Sequence, residues 1–136
     1  MNNTCYEEGN IIEIRNFIFK DDEMLDTPDP KHGHPALILK ADKNEQCIYV
    51  LPLTSSYKQF KKNPNKFYRC SKDNLNRLKK TSFCNLSTIY KFKIPPWNER
   101  IVAFLPQYDI MKIMKKFKLY HKDSYIENPY ELAVEK

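Results

Sequence analysis

Glycine is nearly absent from this 136-residue chain, which has only Gly9 and Gly33. Neither a GxGxxG nor a GxxxxGKS/T phosphate loop can be written from two glycines, so the common nucleotide-cofactor folds drop out. No run approaches the roughly 20 apolar residues that would span a bilayer. The four cysteines, Cys5, Cys47, Cys70 and Cys84, are widely and irregularly spaced with no CxxC, which argues against a structural zinc site. The first twelve residues carry Glu7 and Glu8 and no base ahead of the first apolar pair, the reverse of a secretory signal. The expectation is a cytoplasmic protein with reduced, mostly buried thiols and no membrane contact.

What is present is enough for one core. Apolar residues make up 41% of the chain and charged residues 29%, which fits a single domain over 1–136. The net charge of +6 is unevenly placed. Between Ser55 and Lys80 stand nine bases (Lys58, Lys61, Lys62, Lys66, Arg69, Lys72, Arg77, Lys79, Lys80) against the single acid Asp73, a local charge of +8 that leaves −2 on the rest. Asp21, Asp22, Glu23, Asp26 and Asp29 form an opposite pole with no base among them. Such polarity gives the protein a face for a polyanion. Tyr57, Phe60, Phe67 and Tyr68 are threaded through the basic stretch. Cations neutralise phosphates and rings stack on unpaired bases, so the mixture suits single-stranded RNA. A solvated lysine-rich loop whose rings plug the core is the plainer alternative.

The apolar pattern is mostly that of strands. Gly9–Lys20 mixes β-branched and aromatic residues in near-alternation, His34–Ala41 is a short apolar run, and Gln46–Thr54 is another. Asp21–Gly33, with Pro28 and Pro30, reads as loop, and Asp42–Glu45 as a turn. Short connections predict an antiparallel meander and not β-α-β units. Thr81–Lys93 again reads as extended, ending before Pro95-Pro96. One helix is predicted, over Pro106–Tyr120, with Ile110, Ile113, Met114 and Phe117 on one face. It either lies on a membrane or RNA, or caps a small barrel; the latter is the commoner use. The basic segment accommodates a short helix, an extra strand or a loop. Met111, Met114 and Trp97 read as core or interface residues.

Few residues can carry chemistry. Of three histidines, His32 and His34 are two apart and share a side if the chain is extended, which Pro35 favours for His34. Two imidazoles near bases suit proton transfer in RNA strand cleavage, although a polar turn entering a strand explains KHGHP equally well. The acidic pole lacks the histidines and spacing that would organise two metals. No cysteine has a nucleophile motif around it.

The order of segments is specific. After Gly9-Asn10-Ile11-Ile12 come His34-Pro35-Ala36-Leu37-Ile38-Leu39, then Leu51-Pro52-Leu53-Thr54-Ser55-Ser56, then Lys80-Thr81-Ser82-Phe83-Cys84-Asn85-Leu86. From Gly9 to Tyr120 this resembles the PemK/MazF family of toxin endoribonucleases. The resemblance implies a mainly β fold with a C-terminal helix, a small SH3-like β-barrel over about 9–94 followed by the helix over about 106–120. It also implies a homodimer, a cognate antitoxin, a single-stranded RNA substrate, and cleavage by 2′-hydroxyl attack without metal or cofactor. Related barrels held by an RNA antitoxin share a similar Pro-Leu-Thr-Ser turn, and a non-catalytic RNA-binding barrel is the competing class.

Carried over residue by residue, the family's threonine matches Thr54 and its following serine matches Ser55. Both are expected to hydrogen-bond the phosphate or position the reacting hydroxyl. The family's arginine before proline is replaced by His34, which titrates near neutrality where arginine does not. His34 is therefore expected as acid or base, with Lys40, Lys58 or Arg69 offsetting phosphate charge. His32, Ser82 and Asn85 complete the expected RNA-binding set. Asn85 stands near where some members carry an acid, and it cannot accept a proton as a carboxylate does.

Overall fold

The alternating and continuous apolar runs form the strands they predict, and the pairing then bends them into a barrel. The computed structural model describes residues 6–14, 34–73, 76–93, 100–124 and 128–135. In chain order the elements are β1 (Asn10–Ile14), β2 (His34–Asp42), β3 (Cys47–Thr54), α1 (Tyr57–Lys62), β4 (Phe67–Cys70), β5 (Ser82–Asn85), β6 (Tyr90–Lys93), β7 (Ile101–Phe104), α2 (Gln107–Tyr120) and β8 (Val134–Glu135). β1, β2 and β3 make the expected antiparallel meander. The sheet runs β4-β5-β3-β2-β1-β7, with β6 on β3 and the short β8 parallel to β6.

β3 is the axis of this arrangement. One edge pairs with β2. The other edge is divided, with Cys47 to Val50 pairing with β6 and Leu53 and Thr54 pairing with β5. Pro52 sits between the two partners, where a central strand tolerates the loss of a ladder donor. The run expected as one extended segment, Thr81–Lys93, is thus two strands serving different halves of one neighbour. The break follows Asn85, whose side-chain oxygen accepts the Ser87 N–H at 2.9 Å. At the far ends of the sheet, the Phe104 N–H of β7 donates to the Asn76 carbonyl in the loop after β4 at 2.9 Å. That bond brings the two outer strands toward closure, which reduces the exposed edge.

Both faces of the central strands are buried. Ile11, Leu37, Leu51, Leu53, Cys84 and Ala103 point to one core, together with Ile110, Ile113 and Phe117 of α2. Ile12, Ile14, Ala36, Ile38, Ile48 and Val50 point to a second core with Tyr90 and Phe92. In β3 every residue except Thr54 is buried, so this strand is a continuous apolar run and not a half-solvated one. The helix α2 caps the first core, as its spacing predicts; Pro106 stands at its N-cap and not at its first helical position. Met114 packs partly on that core, whereas Met111 is 66% exposed. The His121 Nε2–H donates to the Leu86 carbonyl at 2.8 Å and its ring lies 4.2 Å from Phe117, so this third histidine closes the helix end.

The basic segment resolves into both of its structured alternatives. It forms α1, a 3-10 turn at Pro64–Lys66, and then β4. Side chains on both elements tie it to α2. The Tyr68 hydroxyl donates to the Asp109 carboxylate at 2.6 Å, and Lys116 donates to the Pro64 carbonyl at 3.1 Å and also to the Phe67 carbonyl. Burial, then the bond to Asp109, pushes the Tyr68 phenol above its ordinary range, while burial lowers Lys116. The strand expected to continue to Lys20 is described as far as Ile14. The acidic pole, His32, Pro95-Pro96 and Trp97 lie outside the described residues.

Gly9 shows why the first strand needs a glycine at its start. Its φ is +92°, its N–H donates to Ile38 and its carbonyl accepts from Leu105, both at 2.8 Å. A Cβ there would collide with the Leu105 carbonyl oxygen. Gly9→Ala is expected to lower unfolding stability by about 2 kcal/mol or more, combining a strained φ with overpacking, as read by urea denaturation. A midpoint equal to wild type would contradict this account of the bend.

Candidate functional site

His34 opens β2 and Thr54 closes β3, so both stand at the same rim of the barrel. The register pairs Ala36 with Pro52. His34 and Thr54 each lie two residues beyond that last pair, and alternation puts both side chains on the face that Ala36 and Pro52 share. His34 pairs with Ile14, and Thr54 pairs with Phe83, which pairs with Arg69. Thr54, Phe83 and Arg69 therefore form one cross-strand line, with Arg69 two strands, or about 10 Å, from Thr54. Arg69 is exposed, His34 and Thr54 are half-buried, and Phe83 is buried.

The chain that follows Thr54 turns sharply, and its hydroxyls drive the turn. Thr54 Oγ1 accepts the Ser56 N–H at 3.2 Å. Ser56 Oγ accepts the Gln59 N–H at 3.2 Å, capping α1. The Pro-Leu-Thr-Ser-Ser motif thus has a local structural reason. It leaves the Thr54 O–H as a donor and Ser55 exposed beside it. α1 has no buried residue and is held through Phe83, on which the Phe60 ring is stacked at 4.6 Å between centroids. Lys58, Lys61 and Lys62 are exposed along it, and Tyr57 is exposed at its start. The row and the helix together make a cationic and aromatic ledge beside His34 and Thr54.

Not every expected RNA contact belongs to this ledge. Lys40 lies six residues along β2 from His34, about 20 Å at strand rise. A bulge between Ile38 and Lys40 turns it toward Tyr49, where its ammonium rests 5.9 Å from that ring and 5.2 Å from Tyr130. Asn85 is buried and its carboxamide oxygen is committed to Ser87, so it is a turn-forming residue and not a surface one. Ser82 is adjacent to Phe83 and therefore faces the other side of β5; its hydroxyl donates to the Lys80 carbonyl at 3.2 Å. His32 is outside the described residues. Lys58 and Arg69 remain with His34, Thr54 and Ser55. Tyr57 is among the rings expected to stack on unpaired bases; Phe83, outside the basic stretch, is not singled out by the sequence.

A separate cleft of about 380 Å³ opens on the opposite face of the same strand ends, lined by Glu13, Pro35, Leu53, Leu78, Lys80 and Ser82 among others. The sheet separates it from the His34 and Thr54 side chains, because Pro35 and Leu53 point the other way. The loop that supplies its cationic rim is organised by buried Asn76, which donates to the Ser71 carbonyl at 2.8 Å and accepts from Leu78 at 3.0 Å. Arg77 holds a φ of +62° in that loop. Among the described residues no group of three His, Cys, Asp or Glu side chains converges as a metal site, and no helix is long and apolar enough to cross a membrane.

An antiparallel barrel of this order, closed by a C-terminal helix, has the architecture of the PemK/MazF-type fold. A solved structure shows the likeness directly. The chain superposes on a chain of the MazE–MazF complex (form II) from Deinococcus radiodurans with a TM-score of 0.60, covering 88% of this chain and 98% of that one at 10% identity. No protein-family model matches the sequence, and no curated protein matches it.

The thiols among the described residues, Cys47, Cys70 and Cys84, are free and buried. Burial, aided by the nearby Asp109 charge, pushes Cys70 up to about 12, and burial raises Cys84 and Cys47 as well. A thiol reacts as its thiolate, so all three are expected to resist iodoacetamide in the native protein at mildly alkaline pH. They should label fully once denatured, as counted by intact mass. Rapid native labelling of Cys70 or Cys84 would contradict this packing.

Proposed function

We propose that the protein is the toxin of a toxin–antitoxin pair, an endoribonuclease that cleaves single-stranded RNA without metal. The single observation that carries this reading is the Thr54–Phe83–Arg69 row, with His34 on the same face of the rim, beside the cationic helix α1. It lies at the rim where the Thr-Ser turn ends β3. The likeness to a toxin–antitoxin complex supports the same reading.

In the proposed reaction the ribose 2′-oxygen attacks the adjacent phosphorus, forming the O2′–P bond and breaking P–O5′. Neutral His34 takes the 2′ proton, and the departing 5′-oxygen is protonated by water or by the imidazolium so formed. The products are a 2′,3′-cyclic phosphate and a 5′-hydroxyl. Thr54 donates its O–H to a phosphate oxygen while its lone pair stays on Ser56, and Ser55 adds a second bond. Arg69 and Lys58 offset the charge that accumulates on the phosphorane, a role that fixed cations perform best where water is excluded. The substrate's neighbouring phosphates are held by the α1 lysines. A homodimer and a protein antitoxin complete the proposal.

A second reading keeps the fold and the RNA but not the cleavage. It is favoured by two departures from the family pattern, His34 in place of arginine and the buried, committed Asn85. Such a barrel would bind RNA with steep salt dependence and leave it intact, or be held by an RNA antitoxin.

The test is incubation with a long RNA in EDTA. Wild type should cleave, and His34→Ala and Thr54→Ala should each slow cleavage by about 10²–10⁴-fold. Fragments should carry cyclic phosphate ends. Undiminished cleavage by both variants removes the proposed centre, an absolute need for added metal removes the mechanism, and intact RNA in a tight complex selects the second reading.

A further inference from the structure

Four aromatic side chains lie in the basic segment, and the structure distinguishes them. Phe67 is buried, Tyr68 gives its hydroxyl to Asp109, and Phe60 is stacked on Phe83. Tyr57 alone among the four presents its ring to solvent, at 56% exposure. An exposed tyrosine is ordinary by itself. This one is held. It is the first residue of a helix capped by Ser56, and its ring lies 6.2 Å from Phe60 and 6.2 Å from Phe83. Phe83 is in turn the cross-strand partner of Thr54 on one side and of Arg69 on the other. The Tyr57 ring therefore lies beside Phe83, the residue that stands between Thr54 and the exposed Arg69.

Cations flank it. The Lys61 ammonium sits one helical turn on, 5.8 Å from the ring centroid, the loose end of a cation–π contact. Lys58 is the next residue and is exposed. A flat, rigid ring with only two side-chain torsions, backed by a stacked aromatic pair and edged by lysines, is the surface that an unpaired base on a phosphate chain fits.

We propose that Tyr57 is a stacking platform for one unpaired base next to the phosphate at His34 and Thr54, with Lys61 moving from the ring to the adjoining phosphate. This inference rests on the RNA reading above and adds a recognition subsite to it. The platform reads a base by its π-face, so it sets where the strand lies more than which sequence is bound.

The experiment measures equilibrium binding of a short single-stranded 2′-O-methyl oligoribonucleotide, which cannot be cleaved, to the full-length protein. Tyr57→Ala should bind roughly tenfold to a hundredfold more weakly, whereas Tyr57→Phe and Tyr57→Trp should keep wild-type affinity. An abasic site walked along the oligonucleotide should reproduce the loss at one position, and that loss should vanish in the Tyr57→Ala background. Photocrosslinking of a 4-thiouridine at that position should map to Tyr57, which keeps the test valid if the alanine variant unfolds. Wild-type affinity in Tyr57→Ala, or an abasic penalty that simply adds to it, overturns the platform. So does binding that is indifferent to base removal everywhere, which would mark the ledge as a backbone or protein surface. Binding and cleavage by wild type with an inert Tyr57 sink this inference alone; no RNA binding by wild type sinks the function with it.

Discussion

The antiparallel register between β2 and β3 is the constraint on which the rest depends. Ala36 opposite Pro52 and Leu37 opposite Leu51 decide that His34 and Thr54 point to one face of the rim. A slip of one residue would send one of them to the other side, since successive side chains alternate. The slip is forbidden because both faces of these strands are buried. Ile38 and Val50 belong to one core, and Leu37 and Leu51 to the other. A shifted strand would have to exchange two differently shaped apolar sets at once, and close-packed interiors tolerate such exchanges poorly.

The divided edge of β3 follows from the same packing and sets what lies beside Thr54. Its first half is paired with β6, which fills that edge of the barrel. Only the last two residues are free to pair with β5, and through Phe83 they acquire Arg69 and the stacked Phe60 of α1. The cationic segment could be a loop in many folds. Here Lys116 and Asp109 of α2 hold it from one side and the aromatic stack holds it from the other. The lysines thus stand on a ledge fixed relative to Thr54, which is the condition for electrostatic help in a reaction.

Some of this was legible along the chain. The apolar runs located β2, β3 and the early part of β1, and the i, i+3, i+4, i+7 stripe located α2 within a residue. Gly9 reads only as the start of the first strand, and its bend appears in the structure. β7 was missed because four residues, Ile101–Phe104, are too few for a periodic signal and gain strand character only by lying on β1. The expected residues that stand away from the ledge do so for equally local causes. A one-residue bulge redirected Lys40, and an Asx turn buried Asn85, and neither bulge nor turn leaves a mark in composition.

By itself the sequence determined which faces are apolar, where one helix must begin and end, that Thr54 and Ser56 turn the chain, and that positive charge gathers after that turn. These are local properties, set by side-chain period, capping chemistry and composition, each decided within a few residues. Only the tertiary structure decided that residues 54, 83 and 69 form one line with His34 on the same face, that Tyr57 stands beside Phe83, and that Ser82 looks the other way. Which strands pair depends on contacts between distant segments, and those contacts are chosen by how two cores fill together, a choice that no single stretch of chain contains.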